Sequence, residues 1–220
     1  MGQALEHAIT QHSDLSLAGT WSRGADLAEI LLAADVLIDF SLPSATELVL
    51  QTAVECKTPL VCGVSGLDDT QMGLIRAASE QIALLYDRNM SLGVTVLERT
   101  VRDAAASLGK DFSISISEVH HVHKKDAPSG TALKLGETIA AALGQSGSGD
   151  IEYCSERRGE VPGDHEVTMR SATETLTFSH SVTTRQVFAD GALRAARWVV
   201  TQPAGQYCMQ DVLFGEIKSV

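Results

Sequence analysis

Three short runs are apolar almost throughout: Asp35 to Phe40 (D-V-L-I-D-F), Thr58 to Cys62 (T-P-L-V-C) and Ile82 to Tyr86 (I-A-L-L-Y). Runs this short and this apolar suit strands buried on both faces, a situation typical of a parallel sheet covered by helices. The segments between them read as those helices. Ser44 to Lys57 turns Leu48, Thr52 and Val54 to Cys56 inward, and Asp68 to Glu80 also reads as a helix. Met1 to His12 aligns Ala4, Leu5, Ala8 and Ile9 on one face, and Leu15 to Trp21 reads as a further strand. Parallel neighbours need a crossover, so the alternation predicts an α/β, doubly wound (Rossmann-like) domain. Its ligands are expected at the carboxyl ends of the strands, in the loops Trp21 to Gly24, Phe40 to Pro43, Gly63 to Gly66 and Asp87 to Met90.

The pattern changes after Gly93 to Leu108, a helix with Val94, Leu97, Val101, Ala105 and Leu108 in register. Phe112 to Ser117 alternates strictly, as expected of a strand with one covered and one wetter face. Thr131 to Leu143 is helical, Gln145 to Asp150 a loop, Glu166 to Thr184 rich in antiparallel-strand residues, and Ala189 to Thr201 a last helix. A second, α+β domain follows, with boundaries at 1–92 plus 203–220 for the first domain and 93–202 for the second. The closing segment Gln206 to Ile217 returns to the first.

With 220 residues either domain buries a real core. A net charge of −11 argues against nucleic acid or an anionic membrane as partner, while a local cationic site for a small anion stays open. Cys56, Cys62, Cys154 and Cys208 have no paired or zinc-like spacing and read as reduced thiols of a cytoplasmic protein. Glu29 and Asp35 interrupt the best candidate membrane span, and no basic region precedes an apolar core at the N-terminus.

The densest chemistry lies in Ser117 to Thr131, S-E-V-H-H-V-H-K-K-D-A-P-S-G-T. Cationic side chains run into a turn marked by Pro128 and a helix start at Ser129, Gly130 and Thr131. The free N–H groups and positive dipole end of such a start suit a carboxylate. Lys124 or Lys125 completes a site for a dianion. If the strand ran on, His120 would share the face of Ile116 and Glu118, and His121 and His123 the other. Three readings stay open: a histidine donating a proton near neutral pH, a metal held by His120, His121 and His123, or a solvated surface loop. The flanking lysines and the lack of cysteine or clustered carboxylates weigh against the metal.

The run E-V-H-H-V-H-K-K-D-A-P-S-G-T-A from Glu118 closely resembles the signature of the dihydrodipicolinate reductase family. Phe40-Ser41, C-G-V-S-G-L from Cys62, N-M-S-L-G-V from Asn89, G-E-V-P-G-D-H from Gly159, F-A-D-G-A-L from Phe188 and D-V-L from Asp211 agree in order. The resemblance implies reduction of a cyclic unsaturated dicarboxylate, in the diaminopimelate route of lysine biosynthesis, by a cytoplasmic homotetramer using NADPH or NADH. It implies His120 as general acid, His121 and Lys124 holding substrate, and Gly130 and Thr131 taking a carboxylate. Phe40, Gly63, Val64, Ser65, Asp87, Arg88, Asn89 and Met90 then line the nicotinamide and its ribose, although Val64 replaces a hydroxyl residue common there. His165 is implied as structural rather than catalytic, and no metal takes part.

A member of this family should open with a strand and a glycine-rich turn ending in G-R-M-G. Met1-Gly2-Gln3-Ala4 looks like the end of that motif, so the first domain is expected to be N-terminally truncated, with a start codon placed too late as the preferred account. Cofactor preference rests on Ser22 and Arg23: an acid after the second strand suits NAD, whereas an Arg accommodates the extra phosphate of NADPH. The rival expectations are a silent anion-binding or regulatory protein that keeps the fold without the phosphate loop and has lost cofactor binding, and a hydrolase using a metal on the three histidines.

Overall fold

The computed structural model describes residues 1–22, 24–145 and 150–215. Along the chain run α1 (Gly2–Thr10), α2 (Leu27–Leu31), β1 (Leu37–Asp39), α3 (Thr46–Glu55), β2 (Leu60–Cys62), α4 (Asp69–Ser79), β3 (Ala83–Tyr86) and α5 (Leu92–Leu108). Then follow β4 (Ser113–His120), α6 (Gly130–Ala142), β5 (Ile151–Arg157), β6 (Asp164–Arg170), β7 (Thr175–Ser181), α7 (Gln186–Val199), β8 (Gly205–Tyr207) and α8 (Met209–Phe214). They form two compact units, Met1–Leu92 with Gln186–Val220, and Gly93–Arg185.

In the first unit β1, β2, β3 and β8 form, in that order, a wholly parallel sheet. The period of two along each strand sends side chains to two separate cores. Val61, Ala83 and Leu85 meet α1, α7 and α8 through Leu5, Ala8, Leu193, Val199 and Met209. Leu60, Cys62 and Leu84 meet α2, α3 and α4 through Leu31, Val49, Leu50 and Ile75. Helices on both faces make the sheet doubly wound, as the apolar runs predict. The start of α4 shows local sequence at work: the Asp68 carboxylate accepts from Gln71 N–H and the Gln71 side chain returns to Asp68 N–H, a reciprocal cap.

Two expectations for this unit are corrected. Leu15 to Trp21 is not a strand but an irregular, largely exposed run, because no strand among the described residues pairs with it. The second unit ends at Arg185, not at residue 202. The apolar stripe of α7, Ala189, Ala192, Leu193, Ala196 and Val199, is buried with Val61 and Leu85 of the parallel sheet, so the return comes one helix early.

The second unit holds a mixed sheet in the order β5-β4-β6-β7, with β5 parallel to β4 and the other pairs antiparallel. Glu166 to Thr184 thus divides into most of β6 and all of β7. Strand β5 carries two acids and an arginine among its seven residues, so it lacked the pattern that identifies a strand. Of the expected loop Gln145 to Asp150, residues 146–149 lie outside the described residues, as do 216 and 217 of the closing segment. On β4 the alternation buries Ile114, Ile116, Glu118 and His120 on one face. Leu97, Val101 and Ala105 of α5, with Ala132, Leu135 and Ile139 of α6, cover its apolar half.

Candidate active site

Glu118 and His120 occupy the last inward-facing positions of β4, beyond the apolar stretch that ends at Ile116. Glu118 is 2% exposed. A carboxylate so buried needs charged and hydrogen-bonded partners, and three elements supply them. From β5, Arg157 Nη1 donates to Glu118 at 3.0 Å. Ser155 is the direct cross-strand neighbour of Glu118, and Arg157 reaches it from two residues further along. From the loop before α6, Ser129 N–H donates to Glu118 Oε1 at 3.3 Å. On β4 itself Glu118 Oε2 is hydrogen-bonded to His120 Nδ1. Burial pushes the Glu118 pKa up most strongly, but the hydrogen bonds from His120, Ser155 and Arg157 together outweigh it and hold the acid below its ordinary value.

His120 is left with Nε2 as its free ring nitrogen. Gly163 stands beside that atom at φ +152°, a backbone angle that disfavours side chains, and a Cβ there would fall 2.9 Å from Nε2. Burial lowers the His120 pKa, with Glu118 opposing and Lys124 and Arg157 assisting. The ring lies edge-on to His165, centroids 5.1 Å apart. His165 Nε2 shares a hydrogen bond of 3.2 Å with Ser129 Oγ, which also caps α6 by accepting from Ala132 N–H.

The structure separates the residues of the His-Lys run. His120 points inward, His121 is half-buried, and His123 is exposed beside Glu160 at 3.5 Å. No group of three metal-binding side chains occurs among the described residues. Lys124 Nζ pairs with Asp126 Oδ1 at 2.8 Å. Burial opposes ionisation of Asp126, yet Lys124 and the Gly130 N–H bring its pKa below the usual value. A carboxylate therefore already sits between Lys124 and the start of α6, the two groups that the sequence marks for an anion.

His165 has a consequence for stability. Burial, with the nearby His120 adding to it, pushes its pKa down to about 3 from an ordinary 6.5. Above 6.5 the folded and unfolded chains both leave it neutral. Below 6.5 the unfolded chain takes up a proton that the folded one refuses, so stability falls with pH until about 3. The expected loss from this group between pH 7 and pH 5 is about 2 kcal/mol, and His120 and His180, both lowered by burial, act in the same direction. Urea unfolding at the two pH values, compared between the parent and His165→Gln, measures it; equal losses in both would remove His165 as the cause.

In the first unit the expected cofactor loops follow the strands in order. Phe40 and Ser41 follow β1, Gly63 to Ser65 follow β2, and Asp87 to Met90 follow β3, all at the carboxyl edge of the sheet. Val64 and Met90 are buried in the two cores, whereas Ser65 and Arg88 are exposed. Asp87 is engaged in holding its surroundings: Oδ1 accepts from Asn89 N–H at 3.4 Å and Oδ2 from Met209 N–H at 3.2 Å. Asp39 and the Ser41 hydroxyl, at the end of β1, are buried side by side, burial raising the Asp39 pKa and Ser41 opposing it, and Thr46 Oγ1 at the start of α3 is buried with no hydrogen-bond partner among the described residues. A cleft of about 470 Å³ nearby is lined by Trp21, Gly24, Ala25, Asp26, Ser44, Ala45 and Leu48. Ser22 is exposed, and Arg23 lies outside the described residues.

Sequence reasoning missed Glu118, Arg157 and Gly163 as parts of the site. The available signal for Glu118 was an acid in phase with Ile114 and Ile116 on the covered face. Arg157 had none, since β5 itself was not recognised.

Known proteins share the sequence of both units. The family description "Dihydrodipicolinate reductase, N-terminus" matches residues 1–90, and "Dihydrodipicolinate reductase, C-terminus" matches residues 93–213. The 4-hydroxy-tetrahydrodipicolinate reductase of Halorhodospira halophila is 42% identical over 217 residues, covering 90% of this chain and 81% of the relative. That of Wolinella succinogenes is 44% identical over 205 residues, covering 86% and 80%. Among solved structures, a dipicolinate-bound dihydrodipicolinate reductase from Paenisporosarcina superposes with a TM-score of 0.78 at 19% identity, covering 97% of this chain and 94% of that one, a likeness of fold. Two family descriptions that together span residues 1–213, and relatives above 40% identity over most of their length, make the conclusion plain: the chain belongs to the dihydrodipicolinate reductase family.

Proposed function

We propose that this protein reduces 4-hydroxy-tetrahydrodipicolinate to tetrahydrodipicolinate with a nicotinamide nucleotide, the diaminopimelate-route step of lysine biosynthesis. Family membership supports the reaction, and the observation that carries the site is His120, held at Nδ1 by Glu118 with Nε2 bare beside Gly163. His120 is then the general acid, delivering the Nε2 proton to the ring as charge builds there. Lys124 and the Gly130 and Thr131 amides hold a substrate carboxylate in the place that the Asp126 carboxylate takes here. His121, half-buried beside them, contributes a second polar contact to the dicarboxylate.

The first unit fits a nucleotide. Thr46 Oγ1 at the start of α3 is a buried polar atom without a partner among the described residues, and Asp39 with Ser41, Gly63 to Ser65 and Asp87 to Asn89 present small and polar groups at the carboxyl edge. When bound, the nicotinamide supplies a hydride. Phe40, Gly63, Val64, Ser65, Asp87, Arg88, Asn89 and Met90 orient its ring and ribose, and Ser22 with Arg23 accommodates the 2′-phosphate of NADPH. A cytoplasmic homotetramer belongs to the same proposal.

The deciding assay supplies the substrate freshly made and follows NADPH oxidation. Substrate-dependent turnover is expected, and its absence in folded protein that also fails to bind NADPH would favour the silent anion-binding reading. For the nucleotide, kcat/KM with NADPH is expected to exceed that with NADH by about tenfold, a gap that Arg23→Ala closes. Equal efficiency of the parent with both nucleotides would sink the assignment of Ser22 and Arg23.

A further inference from the structure

We infer that Glu118 is the positioning residue of this site: braced by Arg157, it holds His120 in the tautomer with hydrogen on Nδ1, so that Nε2 alone exchanges the proton with substrate. The inference rests on the reading of His120 as the acid. Its starting point is a position where chain pattern and chemistry conflict. Glu118 sits two residues from Ile116 and two from His120 on the covered face of β4, where an apolar residue would be the least costly choice. The conflict is resolved by Arg157 at 3.0 Å, Ser129 N–H at 3.3 Å, the Ser155 side chain and the His120 ring.

An acid kept solely for stability would be satisfied by Arg157 and Ser129. Here Arg157 Nη1 and His120 Nδ1 share Glu118 Oε2, so the arginine fixes the oxygen that fixes the ring. Arg157 is itself anchored by donation to three backbone carbonyls, those of Lys124 at 3.3 Å, Glu156 at 2.7 Å and Asp126. Strand β5, the end of β4 and the loop toward α6 thus converge on one carboxylate. The charged and titratable groups that face His120 are Glu118 on β4, Arg157 on β5, His165 on β6 and Lys124 in the loop. Glu118 supplies the only negative charge among them and so is the group that favours the imidazolium.

The proton balance is simple. In the reaction the 4-hydroxyl leaves as water with a ring hydrogen; the unsaturated ring that results takes a hydride from the nicotinamide nucleotide of the proposed reaction, the Nε2–H bond of the imidazolium breaks and a bond from that hydrogen to the ring forms, so that one hydride and one proton enter for one water released. Neutral His120 keeps hydrogen on Nδ1 against Glu118, which stays a carboxylate throughout. Solvent returns the proton to Nε2 before the next turnover. Without the carboxylate the imidazolium is less favoured, and a neutral ring left to hold its hydrogen on Nε2 is too weak an acid to give it up.

The test is a ring-nitrogen NMR titration of the full-length chain labelled with ¹⁵N-histidine, the His120 signals being assigned by their loss in His120→Gln. In Glu118→Gln the Nδ1–H tautomer is expected to lose its dominance, the His120 pKa to fall by about 1–2, and kcat to drop about 100-fold with the dicarboxylate KM within about threefold of the parent. In Arg157→Gln the His120 pKa is expected to move the opposite way, upward, because a positive charge has gone. Opposite shifts are not what a merely loosened fold produces. Unchanged tautomer and pKa in Glu118→Gln, or shifts of the same sign in both variants, would overturn the inference whatever the activity shows. Should Glu118→Gln not fold, the Arg157→Gln titration decides: an unchanged or lowered pKa overturns it. A lost tautomer with full turnover would overturn the positioning role together with the acid reading, a failure that His120→Gln kinetics exposes separately.

Discussion

His120→Gln is expected to lower kcat about 10²- to 10⁴-fold while leaving the fold in place. Glutamine keeps a side-chain N–H for the Glu118 carboxylate and fills most of the same buried space, so the second unit loses its acid rather than its packing. The measurement is NADPH oxidation under substrate saturation, paired with thermal unfolding as the check on folding. Retention of half the parent turnover would end the assignment. The pH dependence of the parent enzyme carries the same content in another form. An acid works only while protonated, so activity is lost as pH rises through its pKa. Burial holds that pKa below the ordinary 6.5 in the free protein, which places the alkaline limb of kcat/KM below that value. A bound dicarboxylate brings negative charge to the imidazolium and favours it, so the limb of kcat is expected at higher pH than the limb of kcat/KM. Coincident limbs would mean that the substrate carboxylates do not act on His120.

The sequence reads well where one segment decides its own conformation. The apolar runs around Ile38, Val61 and Leu85 became parallel strands because apolar residues dominate them, with the acid Asp39 at the carboxyl end of β1, and Asp68 and Gln71 specify a helix start between themselves. The inward face of β4 was legible up to His120, and so was the helix start at Ser129. What escaped depends on partners remote in sequence. Leu15 to Trp21 has strand composition, but a strand exists only beside a neighbour, and the chain gives it none among the described residues. The stripe on α7 shows that the helix is amphipathic without saying which sheet it covers. Arg157 and Glu118 are 39 residues apart, and their meeting required β5 to run parallel to β4 in one register, a fact that no local pattern encodes. The family signature pointed to His120 as the proposed proton donor, whereas the groups proposed to set its tautomer came only from the folded arrangement.

Gly191→Ala is expected to destabilise the first unit by about 3 kcal/mol and to weaken nucleotide binding. Gly191 lies in α7, where a Cβ would stand 1.7 Å from the carbonyl oxygen of Met90 and 2.8 Å from its carbonyl carbon. That neighbour is backbone and cannot rotate away, so either α7 withdraws from the sheet or the segment Asp87 to Met90 shifts. The first response opens the core that Ala189, Ala192 and Leu193 share with Val61 and Leu85. The second disturbs Asp87, whose carboxylate ties its own loop to the start of α8 through Met209 N–H, and moves the edge at which the nucleotide is proposed to bind. Gly73 provides the control within the same unit. It lies inside α4, and a Cβ there meets only Arg76 Nη2 at 3.9 Å, so Gly73→Ala is expected to stabilise by up to about 1 kcal/mol through helix propensity alone. Chemical unfolding of the two variants, with NADPH binding measured by fluorescence, separates the effects. A Gly191→Ala protein as stable as Gly73→Ala would show that α7 has room to move off Met90, and unaltered NADPH affinity in a destabilised Gly191→Ala would place the strain in the helix rather than in the loop after β3.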